Sequence, residues 1–512
     1  MDRRRFLKAS AIMGTAVTVG DAVFSSIRDK VFAKEPETRD SKSQGAAGSK
    51  QGAAAIQKLT GETMEKVSSY IADSQKGQLP ENVVKKAKHH IMDTLAAVVS
   101  GSALRPGQLA AEFVKTQGGV EEALVVGTKI ITSAINAAMA NGMMAHSDET
   151  DDSHEKSLTH PGAAVVPAAM AVSDRAGADG QTFLKGAVAG YDIGCRITQA
   201  LGVDQLDSHS HSTHALGEVF GAATAAASIL RLSQGKAKIV LSYTGQQASG
   251  VTYWQRDPEH IEKAFVFGGM PARNGVTSAL FVQAGFTGVS DIFSGQNNFL
   301  TAFSPDPDPK QLFDGLGNRY EVVQTNIKRF SVGSPIQAPL DAVLLLREKY
   351  HLRPQDVARI VVHVPPGARA GGRVVDSREM PDVNIQYILA VALLDGTLTF
   401  EAAHSYKRMS DPAVVPLRKL VSVVLDPTLD TSITTRQAAV YLTTTKGETL
   451  KEHVLHVRGT KANPMTDDEV EKKCRDLFEP VLGRERTSKV VEMIWNLEKV
   501  RNMREFWPLL RS

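Results

Sequence analysis

Cysteine is almost missing from this chain: Cys195 and Cys474 are the only two among 512 residues. That scarcity excludes a disulfide framework and any CxxC metal or redox motif, and leaves room for one bridge at most. An excess of one charge is missing as well. Lys and Arg total 59 against 56 Asp and Glu, a formal charge of +3, and no basic block is interleaved with aromatics, so nucleic acid is excluded as a partner. No stretch is apolar and long enough for stable membrane insertion. The sequence also lacks an internal repeat, a P-loop and a dinucleotide fingerprint. What is present is ordinary globular usage, 42% apolar and 22% charged, on a chain too long for a single core. Gly and Ala concentrate between residues 90 and 290, as expected where helices approach closely through small side chains.

Near the start, Arg3 and Arg4 stand one residue before Phe6-Leu7-Lys8, an arrangement that resembles the bacterial twin-arginine export signal. Residues 9–24 are mildly apolar and interrupted by Asp21, which suits a removable signal better than an anchor. The expectation is a signal over residues 1–33 and a polar, Gly/Ser/Ala-rich flexible linker over 34–58. The twin-arginine machinery would then deliver the protein to the periplasm or beyond. The alternative is a disordered basic start on a cytosolic protein.

Helical periods recur from Leu59 to about Tyr320, exemplified by Val83, Val84, Ala87, Ile91, Leu95 and Val98. Between about Thr325 and Gly459 the pattern changes. Strands are predicted over residues 359–364, 420–425, 438–443 and 453–457, the last two joined by a Lys446-Gly447 turn. Helices are predicted between them over 338–350 and 385–394, and then over 467–482 and 488–500. The fold class is mainly α with an α+β second domain: a large all-helical domain (59–324), a smaller domain with a mainly antiparallel sheet (325–460), and C-terminal helices (461–512) returning to the first.

Two polar clusters could carry chemistry. His146-Ser-Asp148-Glu149-Thr-Asp151-Asp152-Ser153-His154, followed by Thr159-His160-Pro161, runs directly into an apolar helix start. So dense a set of acids and imidazoles is costly to bury, and its placement predicts a pocket rim. Ordinary N-capping is the competing explanation for any single residue. The second cluster, Ser208-His-Ser-His211-Ser-Thr213-His214, leads into an Ala-rich helix whose free N–H groups suit a carboxylate. Together the clusters hold enough ligands for a divalent ion, but no HExxH or comparable spacing is present.

These residues resemble the MmgE/PrpD family over essentially residues 60–512. The ordered blocks are Met92-Asp-Thr-Leu95 through Gly101; Asn141-Gly142 with His146…Asp151-Asp152…His160-Pro161; His211-Ser-Thr213…Gly217…Phe220-Gly-Ala-Ala223; and Gln247-Ala-Ser-Gly250. They continue with Ala272-Arg273-Asn-Gly275, Gly285-Phe-Thr-Gly288, Lys328 spaced to Asp341, Tyr387…Ala390…Leu393…Gly396, and Asn463-Pro464-Met465. The resemblance implies a homodimer with a helical domain and a lid domain, acting without metal or organic cofactor on a small carboxylate, as 2-methylcitrate dehydratase and cis-aconitate decarboxylase do. It implies His160 and His211 as the acid/base pair, Asp151 and Glu149 orienting them, and Lys328 and Tyr387 reaching the substrate from the lid side. It places Ser153, Arg273, Gln337, Asp152 and Thr213 around the substrate.

The chain departs from the family pattern in places. Ala264-Phe-Val-Phe267-Gly-Gly269 replaces a Lys-x-Leu-His-x-Gly run, with Lys263 one step away; Gly333 stands for a common Cys, Gln337 for a His, Glu149 for an Asp and Ser153 for a Thr. Fewer cationic groups imply a less anionic substrate. The expected function is a hydro-lyase on a small hydroxy-carboxylate. An epimerase, isomerase or decarboxylase on the same scaffold, a metal-dependent hydrolase and a non-catalytic periplasmic carboxylate-binding protein are the alternatives.

Overall fold

The computed structural model describes residues 61–366, 375–429 and 437–511. The twin-arginine and linker segments lie outside the described residues. Two large hydrophobic cores organise the described residues, with a small third cluster at Ala215, Val266 and Phe267. The first is built by α1 (Glu62–Asp73), α2 (Glu81–Gly101), α3 (Arg105–Gln117), α4 (Ala134–Ala145), α5 (Pro161–Ala176), α6 (Gly180–Leu201), α7 (Thr213–Ile229), α8 (Gln234–Gln247) and α9 (Met270–Gln283). Residues from Met465 to Leu510 join the same core.

Small residues set a close crossing of α6 and α7, as their concentration predicts. A Cβ on Gly190 would lie 2.8 Å from the Gly221 carbonyl oxygen, and one on Gly221 would lie 2.9 Å from that of Gly190. Only hydrogen side chains let α6 and α7 approach this far. A similar approach joins α4 to a π-helical turn, Phe265–Gly269, just before α9. There a Cβ on Gly268 would lie 2.0 Å from the Gly142 oxygen. That contact carries Phe267 to the C-terminal end of α4, where His146 stands.

The second core lies under α10 (Ser334–Lys349) and α11 (Ile385–Asp395) and a four-stranded sheet. A two-stranded ladder, β1 (Ala123–Leu124) and β2 (Ile131–Thr132), belongs to the helical part. The main sheet has the order β4 (Val421–Leu425), β3 (Val357–Val364), β5 (Ala438–Thr444), β6 (Thr449–Val454). The β3–β5 and β5–β6 pairs are antiparallel and β3–β4 is parallel, so the sheet is mixed with antiparallel pairing in the majority. Burial alternates along β3 with Ile360, Val362 and Val364 inward.

Predicted boundaries move in places, and the helix predicted from 338 begins at Ser334. The last strand begins at Thr449 and not at His453, because the turn closes tightly: the Thr444 N–H donates to the Glu448 carbonyl, and Thr443 pairs with Thr449. The chain leaves the sheet after Val454, and Gly459 accepts from the Ile327 N–H at 3.0 Å. The final predicted helix runs Arg484–Trp495 and breaks at Asn496.

Candidate active site

The loop after α4 and the start of α5 carry the densest group of buried ionisable side chains. Asp151 sits at its centre. One carboxylate oxygen lies 2.9 Å from His146 Nδ1 and the other 3.2 Å from His160 Nδ1. A carboxylate only accepts, so both rings donate Nδ1–H to it and keep Nε2 as the free nitrogen. His160 occupies the N-cap position of α5 but does not cap it. Asp152 does so instead, accepting from the Gly162 N–H at 3.0 Å, which leaves the His160 imidazole available.

Two lysines close the group. Lys328 Nζ donates to the Glu149 backbone oxygen at 2.9 Å and lies 3.5 Å from Asp151 Oδ1. Lys263 pairs with Glu149 Oε1. Burial works against both carboxylates. The neighbouring imidazoles and Lys328 overcome it at Asp151, and Lys263 with Lys328 overcome it at Glu149, holding both well below the usual carboxylate range. Burial lowers Lys328 too, but Asp151 and Glu149 outweigh that and raise it. Burial brings His146 down to about 4, against the pull of Asp151, so this ring is neutral near pH 7.

Further rings surround His160. His214 lies 5.2 Å from it between centroids, and Phe267 stacks on both His146 (4.3 Å) and His214 (3.9 Å). His260 lies 5.1 Å from His146. From the second core, His404 Nε2 reaches Asp148 at 2.9 Å. The side chains of His146 and Asp151 have no exposure, whereas those of His160, His404 and Lys263 retain 11, 15 and 16%. Solvent therefore meets this group at His160, Lys263 and His404, above a closed floor.

The N-terminal domain of the MmgE/PrpD family matches residues 65–312, and its C-terminal domain matches residues 330–499. The chain belongs to the MmgE/PrpD family. A cis-aconitate decarboxylase-like protein of Aspergillus oryzae is 24% identical over 480 residues, covering 88% of this chain and 97% of that protein. The cis-aconitate decarboxylase of Homo sapiens is 23% identical over 455 residues, 85% of this chain and 92% of the relative. That of Mus musculus is 22% identical over 453 residues, 85% and 90%.

Within this MmgE/PrpD chain the sequence-predicted residues separate. Glu149, Asp151, His160 and Lys328 come together. His211 does not join them: its ring packs edge-on against Phe303 at 5.4 Å, its backbone bridges Val251, and the ring meeting His160 is that of His214. Asp152 turns to the opposite side, where His90, Tyr191 and Gly162 occupy both its oxygens, so it anchors the loop from beneath and offers nothing to a substrate. Thr213 donates to the Leu158 oxygen at 2.6 Å, and Ser153 pairs through its backbone with Asn326, which brings Lys328 to the loop. Gln337 is also committed to structure, donating to the Phe330 and Val332 oxygens.

Tyr387 donates to the Ala402 oxygen at 2.5 Å, with burial pushing it up to about 12, and so supports the segment that carries His404. Arg273 lies over Phe265 and donates to Asn274, away from the Asp151 group. The MmgE/PrpD residues that sequence reasoning did not assign to the site are His146, His214, His260, Lys263, Phe267 and His404. Lys263 supplies an ammonium one position from the family lysine, a proximity the sequence does show. His404 stands alone in the turn after a short helix, Phe400–Ala403, with no pattern to mark it.

Proposed function

We propose that this protein is a lyase that eliminates water from a small hydroxy-carboxylate, with His160 Nε2 as the acid/base atom. The family, with its cis-aconitate decarboxylase-like relatives, supports a lyase of dehydratase or decarboxylase type. The observation that carries the finer reading is Asp151 holding the Nδ1–H of both His146 and His160. That hydrogen bond sets the His160 tautomer, leaves a lone pair on Nε2, and stabilises the imidazolium once a proton arrives. His160 removes the proton beside the carboxylate and returns it to the departing hydroxyl. The C–H and C–O bonds break, a C=C bond forms, and water leaves.

Proton abstraction there needs positive charge for the carboxylate. Lys263, at the solvent-facing edge, is placed to exchange Glu149 for the substrate, while Lys328 stays behind to hold the loop. The protein acts as an exported homodimer needing no organic cofactor; replacing both Arg3 and Arg4 by Lys should then trap it inside the cell. Decarboxylation is the second reading, favoured by the names of the relatives.

The test is purified protein against a panel of hydroxy-di- and tricarboxylates and their unsaturated counterparts, following alkene formation and carbon dioxide release. Water loss abolished by His160→Ala supports the elimination, and carbon dioxide release supports the second reading. Water loss that survives His160→Ala unchanged rules out the elimination through His160, and neither alkene formation nor carbon dioxide release from any member of the panel rules out both.

A further inference from the structure

We propose that His146, His260 and Glu149 form a binding site for a borderline-soft divalent cation of the zinc or ferrous class, independent of whether the lyase reading holds. The Nε2 atoms of His146 and His260 are both buried without any hydrogen-bond partner. Buried polar atoms in native proteins are nearly always satisfied, so two unsatisfied nitrogens on facing rings call for a ligand. The ring centroids lie 5.1 Å apart and the planes are tilted by 37°. The carboxylate of Glu149 completes the set: one donor atom from each of the three residues lies within 4.8 Å of the others. Two imidazole nitrogens and one carboxylate oxygen leaving further positions open are a donor set that such ions take.

His146 is further prepared by the carboxylate behind it. Its Nδ1–H donates to Asp151 at 2.9 Å, the arrangement that orients a metal-binding imidazole and raises its basicity. The neighbouring trio His146, Asp151 and His160 also groups within reach of one ion, but its close Nδ1 and oxygen atoms are consumed in hydrogen bonds to one another. Zn–N and Zn–O bonds of about 2.0–2.2 Å require the three groups to draw together by a side-chain adjustment.

A competing cation already sits on Glu149. Lys263 pairs with Glu149 Oε1 and lies over the Trp254 and Phe267 rings at 5.4 and 5.1 Å. An ion bound by Glu149 must therefore displace the Lys263 ammonium, and removing that ammonium must tighten binding.

The experiment is calorimetric titration of the apo full-length protein with Zn²⁺, with Co²⁺ as a spectroscopic probe of imidazole ligation. One equivalent is expected to bind with cobalt absorption bands of a nitrogen-ligated site. His260→Ala should weaken it by more than the roughly 100-fold that loss of a supporting outer residue causes, and Lys263→Met should strengthen it. Absence of a one-equivalent site in the wild type overturns the proposal, as does equal affinity in His260→Ala. If His260→Ala does not fold, Lys263→Met decides: unchanged or weaker binding there also overturns it.

Discussion

His404 Nε2 lies 2.9 Å from the carboxylate of Asp148, joining a residue of the second core to the loop that carries Asp151. The other ring nitrogen of His404 donates to the Phe400 oxygen at 2.8 Å, which leaves Nε2 facing Asp148 as an ion-pair contact without hydrogen-bond geometry. Burial lowers its pKa, but the close approach and charge of Asp148, with Asp382 behind, carry it up to about 9. A histidine raised from about 6.5 stabilises the folded state fully below that value and loses the contribution as pH rises through about 9. Thermal stability should fall by on the order of 3 kcal/mol over that window, and His404→Gln should flatten the fall. Burial holds Asp382 at about 6, so most of its own titration lies below that window. A wild-type profile flat from pH 6.5 to 9 would contradict the assignment.

The Asp151 relay makes a separate kinetic prediction. Asp151→Asn keeps the shape but no longer fixes the tautomer of His160, and turnover should drop by about 10²–10⁴-fold, the range of acid–base catalysis. Because His214 and not His211 meets His160, His214→Ala should impair turnover more than His211→Ala. Steady-state rates of the three variants, each with its melting temperature, check the order; a larger loss in His211→Ala would show that the ring is recruited on substrate binding.

Lys328 is 4% exposed and stands between Glu149 and Asp151. Lys328→Met strands buried negative charge, and breaking a buried pair in this way costs about 3–5 kcal/mol. Denaturant unfolding should show that loss at pH 7 and a smaller one in acid, where the carboxylates take up protons.

The crossing of α6 and α7 can be tested without touching the site. Gly221→Ala puts a methyl 2.9 Å from the Gly190 oxygen and 2.8 Å from Val165 Cγ2. Overpacking of this kind costs about 1–3 kcal/mol, against a gain of about 1 kcal/mol in helix propensity. Net destabilisation is expected. Gly235→Ala, in the first turn of α8 with nothing within 4 Å of the new methyl, should stabilise by about 0.4–1 kcal/mol. Melting curves of the pair measure the difference between crowded and open positions.

Local chemistry was legible wherever neighbours in the chain are also neighbours in space. Residues 146–160 contribute His146, Glu149, Asp151 and His160 from one loop, so their density showed in the sequence. The direction of each side chain did not. Asp151 and Asp152 are adjacent, yet one serves two imidazoles of the site and the other the His90–Tyr191 core. The clustered histidines at 209, 211 and 214 posed the same problem. Ser212 is the N-cap of α7, which leaves His211 outside the helix in a bridge to Val251 and puts His214 in the first turn, facing His160.

Helical and strand periods, small-residue helix contacts, the mixed α and α+β class and the polar loop before Pro161 all follow from the order of residues, because each depends on a few consecutive positions. Which imidazoles converge, how Lys263 and Lys328 share Glu149, and how His404 reaches Asp148 were decided only by tertiary packing. Most of those contacts join distant stretches of the chain, as Asp148 with His404 and Glu149 with Lys263 and Lys328 do, and their geometry depends on helix approach distances and loop anchors that no local pattern encodes.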